Sequence, residues 1–159
     1  MGRVMTNDPS CIFCRIIAGQ AEASKVYQDD LVTAFMDRQP LIPGHLLVVS
    51  NEHADNLAGL DETIAGRMFV VGRQLAQALR RSGLRCEGVN LFLADGPAAG
   101  QTVFHSHLHV IPRFIGDGFG LRFPPGYGSK ASPEELDAVA AKVEAALRGN
   151  RGESSEQEE

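Results

Sequence analysis

The sequence has no tryptophan, only three cysteines, and no apolar run of about 18 residues. The missing apolar run excludes a membrane-spanning helix. Three cysteines are too few for a disulfide scaffold, and in a reducing compartment they point to metal or redox chemistry. Residues 1–10 are polar and hold no apolar signal core, so the expected location is the cytoplasm. Basic residues are also in short supply, with 15 Lys and Arg against 20 Asp and Glu, a net charge of −5. Four of the acids and one of the bases lie in residues 150–159, which leaves the rest of the chain at −2. Broad binding to nucleic acid needs a basic face, and this chain has no charge excess to build one. A small phosphorylated ligand needs only a local electropositive site and stays compatible with the composition.

What is present suits one folded domain. The chain has 159 residues, 43% of them hydrophobic, and no internal repeat. That is enough to bury a core without staples. The ends lack apolar periodicity, so residues 1–9 and the acidic residues 150–159 are expected to be disordered around a domain over 10–149. Residues 11–18 read as a short helical turn stopped by Gly19. Lys25 to Met36 reads as a hairpin turning at Gln28-Asp29-Asp30, and Leu46 to Val49 as a short buried strand. Leu60, Ile64, Met68, Val71, Leu75 and Leu79 keep helical spacing, which predicts a helix from Asp61, its N-cap, to Arg81. Val89 to Ala94 and Phe104 to Phe114 are further strands. A last helix opens on Ser132, Pro133 and Glu135, with Leu136, Val139, Val143 and Leu147 on one stripe. Hairpin strands interleaved with two main helices predict an α+β domain with a mostly antiparallel sheet of about five strands.

Three of the five histidines alternate at His105, His107 and His109. On a strand these would share one face, with Phe104, Ser106, Leu108 and Val110 on the other. A row of imidazoles needs partners for its ring nitrogens, and an anion or a metal is the chemistry that supplies them. The preceding segment, Gly96 to Thr102, is small and glycine-rich, and such turns present main-chain N–H groups to anions. Separately, Cys11 and Cys14 form a Cys-x-x-Cys pair. It can be half a metal site, a pair of free core thiols, or a redox pair. The redox reading is the weakest, since no strand precedes it. Cys86 stands alone and reads as a small core residue.

The string His105-Ser-His107-Leu-His109-Val-Ile resembles the signature of the histidine triad (HIT) superfamily of nucleotide hydrolases and transferases, with Ser106 departing at the first apolar position. The resemblance runs from Cys11-Ile-Phe-Cys-Arg-Ile-Ile through Gly100-Gln-Thr-Val-Phe-His to Pro112-Arg113 and is closest to the prokaryotic Hint-like branch. It implies a HIT-like fold. His107 would be the nucleophile on a nucleotide α-phosphorus, giving a covalent nucleotidyl-histidine. His109 would bond phosphoryl oxygens or the leaving-group side, and His45 matches a fourth histidine near the site. Gly100, Gln101 and Thr102 would hold phosphoryl oxygens. Phe13, Ile16 and Phe35 would flank the base, a purine and by family adenine, and Asp37 would accept from the ribose hydroxyls. Ala94 stands where the branch usually carries Asn.

The same resemblance implies a structural Zn²⁺ on Cys11, Cys14, His53 and His105. It also implies a homodimer through the helix over 61–81, whose Phe69, Val70, Ala65 and Ala76 fall off the main stripe. Arg122-Phe-Pro-Pro-Gly126 loosely resembles an ending that reaches the neighbouring subunit in the Hint-like branch. The expected reaction is hydrolysis of a nucleoside phosphoramidate, ester or mixed anhydride to the nucleoside 5′-monophosphate. Cleavage of dinucleoside polyphosphates is the alternative; Arg113 and Arg122 follow the triad and read either as contacts to a longer phosphate chain or, more commonly, as surface charge. A nucleotide-binding interaction module with little turnover is an alternative of another kind.

Overall fold

The computed structural model describes residues 7–152. The expected disorder of the two ends falls largely on residues 1–6 and 153–159, which lie outside that range. The chain divides into two compact units, Met1–Phe119 and Gly120–Glu159. The first holds a five-stranded antiparallel sheet in the order β1-β2-β3-β5-β4, with β1 Lys25–Gln28, β2 Val32–Met36, β3 Leu46–Ser50, β4 Gly88–Leu93 and β5 His107–Arg113. It also holds helices α1, Ile12–Ile17, and α2, Glu62–Arg81.

The β1–β2 turn is closed by Asp29, whose Oδ1 accepts the N–H groups of Leu31 and Val32 at 2.8 Å. Those bonds, with Arg67 Nε donating to Oδ2 at 2.7 Å, overcome the cost of burial and pull the carboxyl down to about 2. Strand β3 is central and buried along its whole length, in keeping with the continuous apolar run from Leu46 to Val49 in place of an alternation. The two faces of the sheet have different coverings. Val32, Ala34, Leu46, Val48, Leu108 and Val110 pack under Ile64, Met68, Val71 and Leu79 of α2. Gly72 lets α2 lie close, because a Cβ there would sit 2.9 Å from Leu108 Cδ2. Phe35, Leu47 and Val49 pack on the other face under Phe13 and Ile16 of α1. That second face carries His107 and His109 beside Phe35 and Leu47.

Strand β5 starts at His107 and not at Phe104, so His105 lies ahead of the strand. The expected single row of three imidazoles is therefore only two long on the strand. Phe104 is 51% exposed instead of facing the core, while Leu108 and Val110 do join it. Ser106 is buried with a hydroxyl that has no hydrogen-bond partner.

The second unit holds α3, Pro133–Gly152. Its capping box forms as the sequence predicts: Ser132 N donates to Glu135 Oε2 at 2.8 Å and Glu135 N to Ser132 Oγ at 3.2 Å. The stripe of Leu136, Val139, Val143 and Leu147 is 58–63% exposed. Among the described residues no helix is long and apolar enough to cross a membrane.

Candidate functional site

Register places the site. His109 pairs with Leu47 on β3 and Phe92 on β4, and His107 pairs with Val49. Both rings stand on the α1 side of the sheet beside Phe35 and Leu47. They open onto a cavity of about 880 Å³, within the range of small-molecule sites. Phe13, Ile16, Phe35 and Leu47 form its apolar wall, and Asp37, Thr102, His107 and His109 also line it. Phe13 meets the His107 ring edge-on at 5.3 Å between centroids. The three aromatic and aliphatic residues expected at a base, Phe13, Ile16 and Phe35, are thus core residues whose outer surface is cavity wall.

The proton on each ring follows from its neighbours. His107 Nδ1 lies 2.7 Å from the carbonyl of His105, which can only accept. Nδ1 therefore carries the proton and Nε2 keeps its lone pair. Burial holds the His107 ring below its ordinary pKa, so it stays neutral and nucleophilic at pH 7. His109 is pushed down to about 4 by burial, with the His107 and His45 rings adding to it. His45 is likewise lowered by burial, against the pull of Asp37. Its Nε2 lies 2.9 Å from His109 Nδ1 and 3.6 Å from Asp37 Oδ2, so the fourth histidine is at the site.

The glycine-rich segment is built differently from the expectation. Residues 97–99 form a 3-10 turn, and Gly100 follows with φ of 87°, a backbone conformation that glycine adopts without strain. The Gly100 N–H donates to the Pro97 carbonyl at 3.0 Å, so that amide is committed to the turn and not to a phosphoryl oxygen. Gln101 is buried. Its amide donates to the carbonyls of Asp55 at 2.6 Å and Val103 at 3.1 Å, and accepts from Gly96 N at 2.8 Å. It clamps the segment from inside and does not line the cavity. Of the three residues, Thr102 alone faces the cavity. Ala94 is buried, and its neighbour Asp95 caps the Leu57 N–H at 2.9 Å. Arg113 donates to both Asp117 carboxylate oxygens, to Asn90 Oδ1 and to the Phe119 carbonyl. Its guanidinium is thereby spent on the loop after β5 and is not open to a polyphosphate.

A second constellation lies behind the first. The thiol and ring-nitrogen ligand atoms of Cys11, Cys14, His53 and His105 all fall within 4.8 Å of one another. Cys11 Sγ is 3.4 Å from His105 Nδ1, and Cys14 Sγ is 3.3 Å from His53 Nδ1 and 3.6 Å from His105 Nδ1. A zinc tetrahedron with Zn–S of about 2.3 Å and Zn–N of about 2.0 Å has S···N edges of about 3.5 Å. The far nitrogens are occupied as a metal site requires. His105 Nε2 donates to the Ser50 carbonyl at 2.8 Å and His53 Nε2 to Asp55 Oδ1 at 2.7 Å, which turns both Nδ1 lone pairs toward the thiols. Sequence reasoning missed Ser50 and Asp55; the position of Asp55 two residues after His53 was the only local signal. Cys86 stays apart and donates to the Gly88 carbonyl.

Comparison with known proteins agrees with this geometry. The HIT domain model matches residues 18–116. An uncharacterised HIT-like protein of Borreliella burgdorferi is 46% identical over 113 residues, 70% of this chain and 81% of that protein. The crystal structure of a HIT family protein from Bacillus anthracis superimposes with a TM-score of 0.78 at 37% identity, covering 87% of this chain and 97% of the other. A Zn-bound histidine triad family protein from Mycobacterium smegmatis matches at 38% identity and a TM-score of 0.68, over 86% and 97% of the two chains. The chain belongs to the HIT domain family, whose members are generally nucleotide-binding hydrolases or transferases. Its Cys11, Cys14, His53 and His105 form the structural zinc site that the donor set and the zinc-bound relative both indicate.

Proposed function

We propose that the protein is a nucleotide hydrolase acting at the α-phosphorus of a nucleoside 5′-phosphate derivative. The observation that carries this is the His107 ring. Its Nδ1–H is held by the His105 carbonyl, and the ring opens onto a cavity with an apolar base wall and a carboxylate in reach. The nucleoside lies against Phe13, Ile16 and Phe35, a purine suiting so broad an apolar wall. Asp37 accepts from the ribose hydroxyls; its Oδ1 already accepts Gln39 N at 2.8 Å, which fixes the carboxylate's direction.

The His107 lone pair on Nε2 forms a bond to phosphorus, and the phosphorus–leaving-group bond breaks with its electron pair going to the leaving group. That group takes a proton from solvent. Water then attacks phosphorus, the N–P bond breaks, and His107 returns to neutrality as the nucleoside monophosphate leaves with one proton released. Thr102 and His109 face the phosphoryl group and supply hydrogen bonds to its charge. Zinc, when bound, supplies no chemistry here; it fixes the segment that carries the His105 carbonyl.

Phosphoramidates, esters and mixed anhydrides share this course, and the commitment of Arg113 to Asp117 disfavours dinucleoside polyphosphates. We place the enzyme in a homodimer, supported by the exposure of Phe69 and Val70 on α2 and of Phe92 on the edge strand β4. Ala76, expected on the same surface, packs against the core instead. The test is trapping. After mixing with an adenosine phosphoramidate and acid quench, mass spectrometry is expected to find one nucleotidyl group on His107. His107→Ala is expected to lose turnover by at least ~1,000-fold with nucleotide binding within a few-fold of the parent. Undiminished turnover in that variant refutes the mechanism.

A further inference from the structure

The cavity extends well beyond its two histidines. His107 and His109 stand on β5, and the sheet order carries the wall outward from there through β3 and β2 to β1. His109 pairs with Leu47, Leu47 with Phe35, and Phe35 with Lys25. The Ser24 carbonyl accepts Met36 N at 3.0 Å, so Ser24 continues the line of β1. Three strand spacings separate β5 from β1, about 14 Å in all. That is the reach of an extended nucleoside 5′-phosphate. With phosphorus at His107 and the ribose at Asp37, the base lies against Phe13, Ile16 and Phe35, and its far edge comes to residues 22–24. Glu22, Ala23 and Ser24 all line the cavity, with Ala23 packed on the apolar cluster of Phe13, Ile16 and Phe35.

Glu22 supplies the carboxylate of this outer wall. The Asp37 carboxylate is held by Gln39 N, whereas among the described residues no hydrogen bond or ion pair holds that of Glu22. A carboxylate offers two acceptors side by side and no donor. The outer edge of guanine offers two donors side by side, N1–H and an N2–H. The outer edge of adenine offers one donor, N6–H, beside the N1 lone pair, which a carboxylate repels. We infer that Glu22 reads the base, accepting N1–H and N2–H of guanine together, and that the preferred substrates are guanosine 5′-phosphate derivatives. Ser24 and Arg38 on the same wall bring hydrogen-bond donors for guanine O6. Hydrogen bonds to a charged acceptor are the stronger kind, and the base stacked on the apolar wall keeps water from one side of the pair. The Glu22 side chain is exposed, so the discrimination is moderate and not absolute. The inference rests on the nucleotide reading of the cavity and adds a base preference to it, one that departs from the adenine implied by the family resemblance.

The test measures binding of guanosine, inosine and adenosine 5′-monophosphates (GMP, IMP and AMP) by calorimetry. The proteins are the zinc-loaded full chain and its variants Glu22→Gln and Glu22→Ala. The parent is expected to bind GMP at least ~10-fold more tightly than AMP, with IMP, which lacks the N2 amino group, between them. A glutamine amide offers one acceptor and one donor, the complement of the adenine edge, so Glu22→Gln is expected to reverse the order. Glu22→Ala is expected to bring GMP and AMP within about twofold of each other. In each protein, kcat/KM on guanosine and adenosine phosphoramidates is expected to follow the order of binding. Equal binding of GMP and AMP by the parent overturns the inference, and so does a preference for GMP that both variants keep. Failure of all three nucleotides to bind overturns it together with the nucleotide reading. Base discrimination that follows residue 22 with no turnover of either phosphoramidate upholds the inference and refutes the hydrolase, so the two failures are told apart.

Discussion

Four of the five histidines have one nitrogen committed to a group of known polarity, and that commitment decides what the other nitrogen does. The carbonyls of His105 and Ser50 and the carboxylate of Asp55 take protons from His107, His105 and His53, and the Leu41 N–H does the reverse for His45. Burial holds His45, His105, His107 and His109 below the ordinary imidazole range, and that has a cost in acid. His109 falls to about 4 in the folded protein, below the ordinary 6.5, so the unfolded chain binds more protons between those values. Stability should therefore be unaffected by His109 above pH 6.5, decline as pH falls through the interval, and level off below about 4. The loss from this group is on the order of 3 kcal/mol at most. Urea titrations at pH 7 and pH 5 check it. His109→Gln should show a smaller loss between the two; an equal loss would mean that burial does not hold the ring neutral.

At the scale of elements, local chemistry and tertiary packing divide the work. The α2 N-cap is local: Asp61 Oδ1 accepts the N–H groups of Thr63 and Ile64 at 2.9 and 3.2 Å. Asp61→Ala should cost about 1 kcal/mol, read as a lowered melting temperature with unchanged kcat. The α3 capping box is just as local, yet its apolar stripe is exposed. Periodicity reports a hydrophobic face without saying what covers it. The start of β5 shows the same limit. Alternation extends the apparent strand back to Phe104, but the Ser106 N–H donates to Ala54 and His105 turns to the thiols, so pairing with β3 begins only at His107 and Val49.

At the scale of the whole molecule, the zinc cluster ties together segments far apart in sequence. Cys11 and Cys14 come from the start of α1, His53 from the link after β3, and His105 from the lead into β5. Ser106 N bonds the Ala54 carbonyl at 2.7 Å and Gln101 bonds that of Asp55, so the 53–55 segment also holds the turn that carries Thr102. Binding of a structural zinc adds folding free energy on the order of 10 kcal/mol. Cys14→Ser should bind less than one zinc per chain by metal analysis and melt at least ~10 °C lower. Its nucleotidyl-His107 adduct should also form more slowly, because the His105 carbonyl is no longer fixed. Sedimentation at micromolar concentration should give twice the mass of 17.1 kDa. Phe69→Glu should shift it toward the monomer.

The sequence by itself determined the β1–β2 hairpin, α2 with its cap, the capping box of α3, and the family signature at His105, His107 and His109. These rest on periodicity and turn chemistry that act within a few residues, and on a motif whose spacing is itself the signal. Tertiary structure alone decided which way the rings of His105 and His45 are turned, because their deciding partners at Ser50 and Leu41 are main-chain groups with no side-chain signature. It also decided that Gly100 and Gln101 serve their own loop and that Arg113 serves Asp117. A hydrogen-bonding group in a sequence is only a capacity, and which partner satisfies it depends on what the fold brings within about 3 Å.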